Sequence, residues 1–227
     1  MRRTLPAILN DITTMNNLPD KLTETIKDDN FQDIIMDLGE IAIDAVLDEG
    51  VLKEIPILGS ILGIGRATMS IQDKLFTQKL LTFLLQLKNT DADSRKEQID
   101  KIDNDPKYKT KVGEKLLHII DKCEDSEKAN YIGRLFQCYI EEKLDYEDFL
   151  RASKCIELTF LYDLKRFIKD KWDNMEMEEA GDLVGSGLMT AIYTPGEQTW
   201  DNVGNGILKV KTSSIGKLIQ DLLDDKK

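Results

Sequence analysis

Ser126-Glu127-Lys128-Ala129-Asn130-Tyr131-Ile132-Gly133-Arg134-Leu135-Phe136-Gln137-Cys138-Tyr139-Ile140 is the stretch on which the fold turns. Ala129, Ile132, Leu135, Phe136 and Tyr139 recur at three- and four-residue steps, the period of one helix face, and Ser126 is a cap-like residue at its start. The same period precedes it in Val112, Leu116, Leu117 and Ile120. It follows Leu144-Asp145 in Phe149, Ile156, Phe160, Leu161, Leu164 and Phe167. Three helices over Tyr108 to Ile168 are therefore predicted. Charged runs at Asp121 to Asp125 and Glu141 to Lys143 fall at the turns between them.

Working towards the N-terminus, Asn89 to Asp105 offers only Ile99 and Ile102 among many charges, and reads as a solvated short helix or linker. Before it, Leu75, Phe76, Leu80, Leu81, Phe83, Leu84, Leu85 and Leu87 make a Leu-rich helical run. Ahead of that lies the least charged part of the chain, Ile55-Pro56-Ile57-Leu58-Gly59-Ser60-Ile61-Leu62-Gly63-Ile64-Gly65. Its eleven residues are too few to cross a bilayer, which needs about 20. Pro56 suits a first helical turn. Gly59 and Gly63 have the spacing that lets two helix backbones approach closely. The segment reads either as a buried helix start or as a contact surface for a partner helix or lipid, with Ile55, Ile57, Leu58, Gly59, Ile61, Leu62, Gly63 and Gly65 as its interaction residues. Phe31, Ile34, Ile35, Leu38, Ile41, Ala42, Ala45 and Val46 predict an amphipathic helix from Phe31 to Asp48. Residues 1–30, polar and carrying Pro6 and Pro19, read as a flexible arm or short helices.

Towards the C-terminus the pattern changes. Ala180 to Leu188 predicts a helix, and Gly187 ends it. Met189 to Thr194 and Ile207 to Thr212 predict two strands around a polar loop, and Ser213 to Leu223 a closing helix. The expected organisation is an arm (1–30), a helical hairpin with the Gly-rich apolar segment (31–90), an acidic helical bundle (91–172) and a C-terminal α/β unit (173–227). The fold class is mainly α, a helical bundle with a small winged-helix-like α/β unit.

With 42 acidic against 31 basic residues the formal net charge is −11, so the average surface repels phosphate and nucleic acid is disfavoured as a partner. Cys123, Cys138 and Cys155 are odd in number and widely spaced, and read as packed thiols in a reducing compartment. One histidine, His118, cannot build a zinc set, and reads as structural. There is no phosphate-binding Gly-Lys-Ser/Thr ending. A calcium loop begun at Asp100 or Asp121 fails at Ile102 or Cys123. No catalytic residue, cofactor or metal ligand is predicted, and the chain is not expected to be an enzyme. Arg2 and Arg3 are followed by Asn10 and Asp11 before any apolar core forms, so a cytoplasmic protein is expected.

Two stretches resemble known proteins. Gly181 to Met189 with Gly206 to Ile219 is similar to the end of winged-helix domains, where a final strand leads into a closing helix. Glu176, Glu178, Glu179 and Asp182 depart from that family, because they put acid where a DNA-reading helix is basic. Ile55 to Gly59, Glu127-Lys128-Ala129 through Leu135-Phe136, and Asp145 to Phe149 resemble a set of uncharacterised bacterial helical proteins and tellurite-resistance-type helical domains. That resemblance implies a bacterial stress or phage-defence setting. The leading expectation is a non-enzymatic interaction or regulatory protein that self-associates or joins a complex. One alternative is a membrane-perturbing effector that inserts residues 55–71 on activation. A winged-helix regulator using Lys209, Lys211 and Lys217 is the other.

Overall fold

The structure, a computed structural model, describes residues 18–39, 55–62, 70–194, 198–199, 202–203 and 207–224. The expected arm residues 1–17, the helix positions Ile41, Ala42, Ala45 and Val46, the glycines Gly63 and Gly65, and most of the polar loop after Thr194 lie outside the described residues. The chain divides into two compact units, residues 1–144 and 145–227. The protein is mainly helical, with eleven helices and a small three-stranded antiparallel sheet among the described residues.

Unit 1 contains α1 (Leu18–Lys27), α2 (Phe31–Gly39), α3 (Pro56–Leu62), α4 (Ile71–Leu85), α5 (Ala92–Asp103), α6 (Val112–Lys122) and α7 (Ser126–Ile140). Its core is the packing of α4 on α7, where the rings of Phe83 and Phe136 lie 5.7 Å apart. Gly133 makes that approach close: a Cβ there would stand 2.7 Å from the Phe83 carbonyl oxygen. The stripe read from Ala129 to Tyr139 is buried as expected. Its cap, however, is Asp125 rather than Ser126, because the Asp125 carboxylate reaches the Lys128 amide at 2.9 Å, the third amide of the first turn.

Two expectations for this half hold in only one of their alternatives. Residues 18–27 form a short helix and not a loose arm: α1 buries Leu22 and Ile26 completely and packs on α3, α5 and α6, where Gly113 leaves room for the Pro19 carbonyl. Residues 89–105 hold a short helix and not a linker, but one face of it is buried. α5, capped by Asp91 on the Ser94 amide (2.8 Å), buries Arg95, Gln98, Ile99 and Ile102 against α1 and α7. Arg95 is 0% exposed and closes the end of α1: its Nε donates to the Ile26 carbonyl (2.6 Å), its Nη2 to the Asp28 carbonyl (2.9 Å) and its Nη1 to the Thr90 carbonyl. A charge run hid a structural cation because its partners are backbone carbonyls, which carry no sequence signature.

Unit 2 contains α8 (Tyr146–Leu158), α9 (Leu161–Asp170), β1 (Asn174–Met175), α10 (Met177–Gly185), β2 (Met189–Thr194), β3 (Gln198–Thr199), β4 (Asn202–Val203), β5 (Ile207–Thr212) and α11 (Ser214–Leu223). The third predicted bundle helix is thus two helices. The break falls at Thr159, which leaves the helical region (ψ 136) and bonds through its hydroxyl to the Cys155 carbonyl at 2.7 Å. Phe160, expected in the core, is 62% exposed as a result. α8 and α9 pack on α11, so the boundary between compact units falls after Leu144 and not at residues 90 or 172.

The three-stranded sheet has the order β1-β5-β2. β2 and β5 pair antiparallel from Met189↔Thr212 to Thr194↔Ile207, the two strands anticipated from the sequence, and β1 adds Asn174↔Lys211 and Met175↔Val210. Gly187, at φ +87°, turns the chain from α10 into β2. Ser213 caps α11 through the Gly216 amide (2.9 Å), and Gly216 sits so close to Leu188 that a Cβ would overlap its carbonyl oxygen.

Candidate functional site

Of the predicted interaction residues, Ile55, Ile57 and Leu58 are no more than 2% exposed. They are packed within unit 1, where α3 lies on α1 and the Ile57 amide donates to the Thr25 hydroxyl (3.2 Å). These three are core side chains, which fits the reading of the segment as a buried helix start and takes them out of the set available to a partner. Gly59 and Ile61 are half-buried. Leu62 is the last residue of α3, its side chain undescribed, and Gly63 and Gly65 lie outside the described residues. Pro56 does open the helix.

Unit 2 carries a surface that the sequence reading missed. α9 turns Leu164, Phe167 and Ile168 inward and leaves Tyr162, Asp163 and Arg166 on its other side. It ends at Lys171 in the left-handed conformation (φ 48°, ψ 51°), which reverses the chain and brings Trp172 back beside Arg166. Trp172 is held by its own backbone: its carbonyl accepts from Gln220 Nε2 at 2.9 Å and from the Thr212 hydroxyl. The Arg166 guanidinium lies 4.9 Å from the Trp172 ring centroid and 5.9 Å from that of Tyr162, with its Nε 3.6 Å from the Asp170 carboxylate. These contacts fix a long side chain that would otherwise be free in solvent.

Beside this stack a groove of about 470 Å³ is lined by Asp163, Arg166, Trp172, Met175, Glu179, Asp182 and Leu183. α10 supplies one wall because Ala180 and Leu183 are buried, which turns Glu179 and Asp182 outward. Asp163, Glu179 and Asp182 make no ion pair among the described residues, so three carboxylates face a single guanidinium. Acid walls over a floor of indole, thioether and isobutyl groups can hold a cationic side chain with an apolar stem. The signal in the sequence was Tyr162, Arg166 and Trp172 clustered in an otherwise charged run, but it requires the chain reversal at Lys171 to become a surface.

Elsewhere several buried polar side chains serve the fold. Gln220 bonds to the Phe167 carbonyl (3.0 Å) as well as to Trp172, and the Tyr139 hydroxyl donates to the Gln98 carbonyl (2.8 Å). Burial raises the Tyr139 pKa well above the usual phenol value. His118 is exposed on α6, not packed in the core. The three cysteines are free thiols, Cys123 and Cys155 buried and Cys138 half-buried, and burial raises the pKa of Cys138 and Cys155. Among the described residues no three His, Cys, Asp or Glu side chains form a group able to hold a metal ion. No helix among them is long and apolar enough to cross a membrane.

Compared with known proteins, the chain matches no family profile, no curated sequence and no solved structure.

Proposed function

We propose that this protein is a non-enzymatic, complex-forming protein that captures a basic segment of a protein partner in the groove of unit 2. The observation that carries the reading is the imbalance in that groove. Among the described residues Asp163, Glu179 and Asp182 make no ion pair, beside a preset Arg166–Trp172 stack. In a chain of net charge −11, such a site favours cationic partners and repels anionic ones. Lys or Arg side chains could lie along Met175 and Leu183 with their charged ends at the carboxylates. A bacterial stress or defence complex is the setting we propose for it, from the family resemblance.

The finer fold assignment belongs to the same proposal. We read unit 2 as winged-helix-like: α10 leads directly into the β2–β5 hairpin, β1 completes the sheet, and α11 follows. Two features favour protein over DNA as its ligand. α9 and α10 are separated by β1 instead of forming a continuous helix-turn-helix, and α10 exposes Glu178, Glu179 and Asp182 behind an exposed Glu176 at its N-cap.

The test is titration of the full chain with Lys/Arg-rich amphipathic peptides, followed by calorimetry and tryptophan fluorescence. Binding that weakens with salt and falls about tenfold or more in Asp182→Lys and Asp163→Lys is the expected result. Absence of binding, or binding that these two variants leave unchanged, would overturn it. Salt-sensitive binding to duplex DNA instead would restore the regulator reading based on Lys209, Lys211 and Lys217.

A further inference from the structure

The two edges of the three-stranded sheet are finished differently. β1 is an edge of only two residues, Asn174 and Met175, set between the acidic Asp173 and Glu176. Short length and adjacent charge are the usual protections of an edge strand. β2 is the opposite edge and has neither. It runs for six residues, Met189-Thr190-Ala191-Ile192-Tyr193-Thr194, with no charge, no proline and no bulge in its pairing to β5. Thr190 to Tyr193 are all exposed. Ile192 is 37% and Tyr193 63% exposed, and Tyr193 stands directly across from Leu208, itself 44% exposed.

We infer that β2 is a self-pairing edge, and that two copies of this chain associate by joining their β2 strands antiparallel about a two-fold axis into one six-stranded sheet. The charge pattern selects the occupant. Copies carrying −11 each repel one another over most of their surface, and a six-residue neutral strand is a place where two of them can meet with no like charges opposed. Symmetry selects it too. A strand from another protein would cover β2 but present a new open edge, whereas two-fold pairing satisfies both copies at once and closes the assembly. A two-fold perpendicular to the sheet sets Ala191 or Ile192 opposite its own counterpart. Tyr193 and Leu208 then add apolar cover on one face, with Lys209 and Lys211 on the other.

The inference stands apart from the groove, since β2 contributes none of the groove's lining residues. The experiment is sedimentation velocity and native mass measurement on the full chain across the micromolar range, with circular dichroism as the control for folding. A reversible dimer is expected. Ile192→Glu, which places two carboxylates across the axis, should weaken it about tenfold or more with unchanged helicity. Should Ile192→Glu not fold, Thr190→Glu at an exposed neighbouring position makes the same test. As a positive readout, Ala191→Cys or Ile192→Cys should give an oxidative cross-link between copies that the parent chain does not. A monomer throughout that range would overturn the inference. So would a dimer that both glutamate variants leave intact, or a native mass showing one copy with a foreign strand. Peptide binding in the groove is expected to survive Ile192→Glu, so failure of one proposal is read separately from failure of the other.

Discussion

The Nε of Arg95 donates to the carbonyl of Ile26 at 2.6 Å, across 69 residues of chain, with the guanidinium 4.8 Å from the Phe31 ring centroid. Helix α1 ends in carbonyls with no partner inside the helix, and a completely buried cation on α5 pairs with that of Ile26 and adds a second donor to that of Asp28, which also accepts the Phe31 amide. Burial lowers the pKa of this guanidinium, while Asp91, Asp29 and Asp28 oppose the shift. Arg95→Met keeps the volume but strands buried acceptors, and should cost about 3 kcal/mol in urea unfolding. Arg95→Lys should recover less than half of that loss, because an ammonium lacks the planar fork that reaches three carbonyls.

Gly216 and Gly181 should respond in opposite directions to the same change. A Cβ on Gly216 would overlap the Leu188 carbonyl, which accepts the Ser213 amide at 3.0 Å, so Gly216→Ala should cost about 3 kcal/mol. Gly181 lies within α10 with nothing within 4 Å of an added Cβ, and Gly181→Ala should stabilise by about 0.5 to 1 kcal/mol through helix propensity. Chemical denaturation of the two variants checks both.

Glu142 predicts a specific acid sensitivity. Hydrogen bonds from Lys101 (3.0 Å) and Gln98 (2.7 Å) lower its pKa below the usual carboxylate value. A depressed folded-state pKa contributes stability above the unfolded value, about 4.3, and loses it as pH falls through the lower folded value. Glu142→Gln should therefore flatten the acid limb of the stability profile while leaving the slope near neutrality unchanged. Urea midpoints measured against pH test this.

Thiol chemistry should follow burial. Cys138 is half-buried, Cys123 and Cys155 are 4% and 8% exposed, and burial raises the pKa of both Cys138 and Cys155. Native protein at neutral pH should react with a bulky disulfide reagent slowly and at Cys138 first. Cys123 and Cys155 should become reactive only on unfolding. Rapid labelling of Cys155 in the folded state would contradict the packing around Gly187 and α8.

How far local pattern could be trusted is visible in particular elements. The stripes on α6, α7 and α8 and the strands β2 and β5 were legible, since each rests on a periodicity of a few residues and needs no knowledge of its neighbours. The burial of Arg95 was not, because a charged residue that pairs with carbonyls 67 and 69 positions earlier leaves no local trace. Nor was the break at Thr159, where the apolar period runs on through Phe160 while the backbone leaves the helix.

The candidate surfaces divide in the same way. Ile55, Ile57 and Leu58 were recognisable as an apolar segment, but whether such a segment faces a partner or the protein's own core depends on what packs over it, and α1 does. The groove of unit 2 required the reversal at Lys171 to bring Trp172 to Arg166 and α10 to supply Glu179 and Asp182.

Composition and periodicity alone determined that this chain is mainly helical and acidic, with two strands ahead of a last helix, since those follow from side-chain type and spacing. Tertiary structure decided which apolar residues are spent inside and, among the described residues, which carboxylates are left without partners and which strand edge stays open. Those depend on contacts between residues far apart in the chain, and short-range pattern does not encode them.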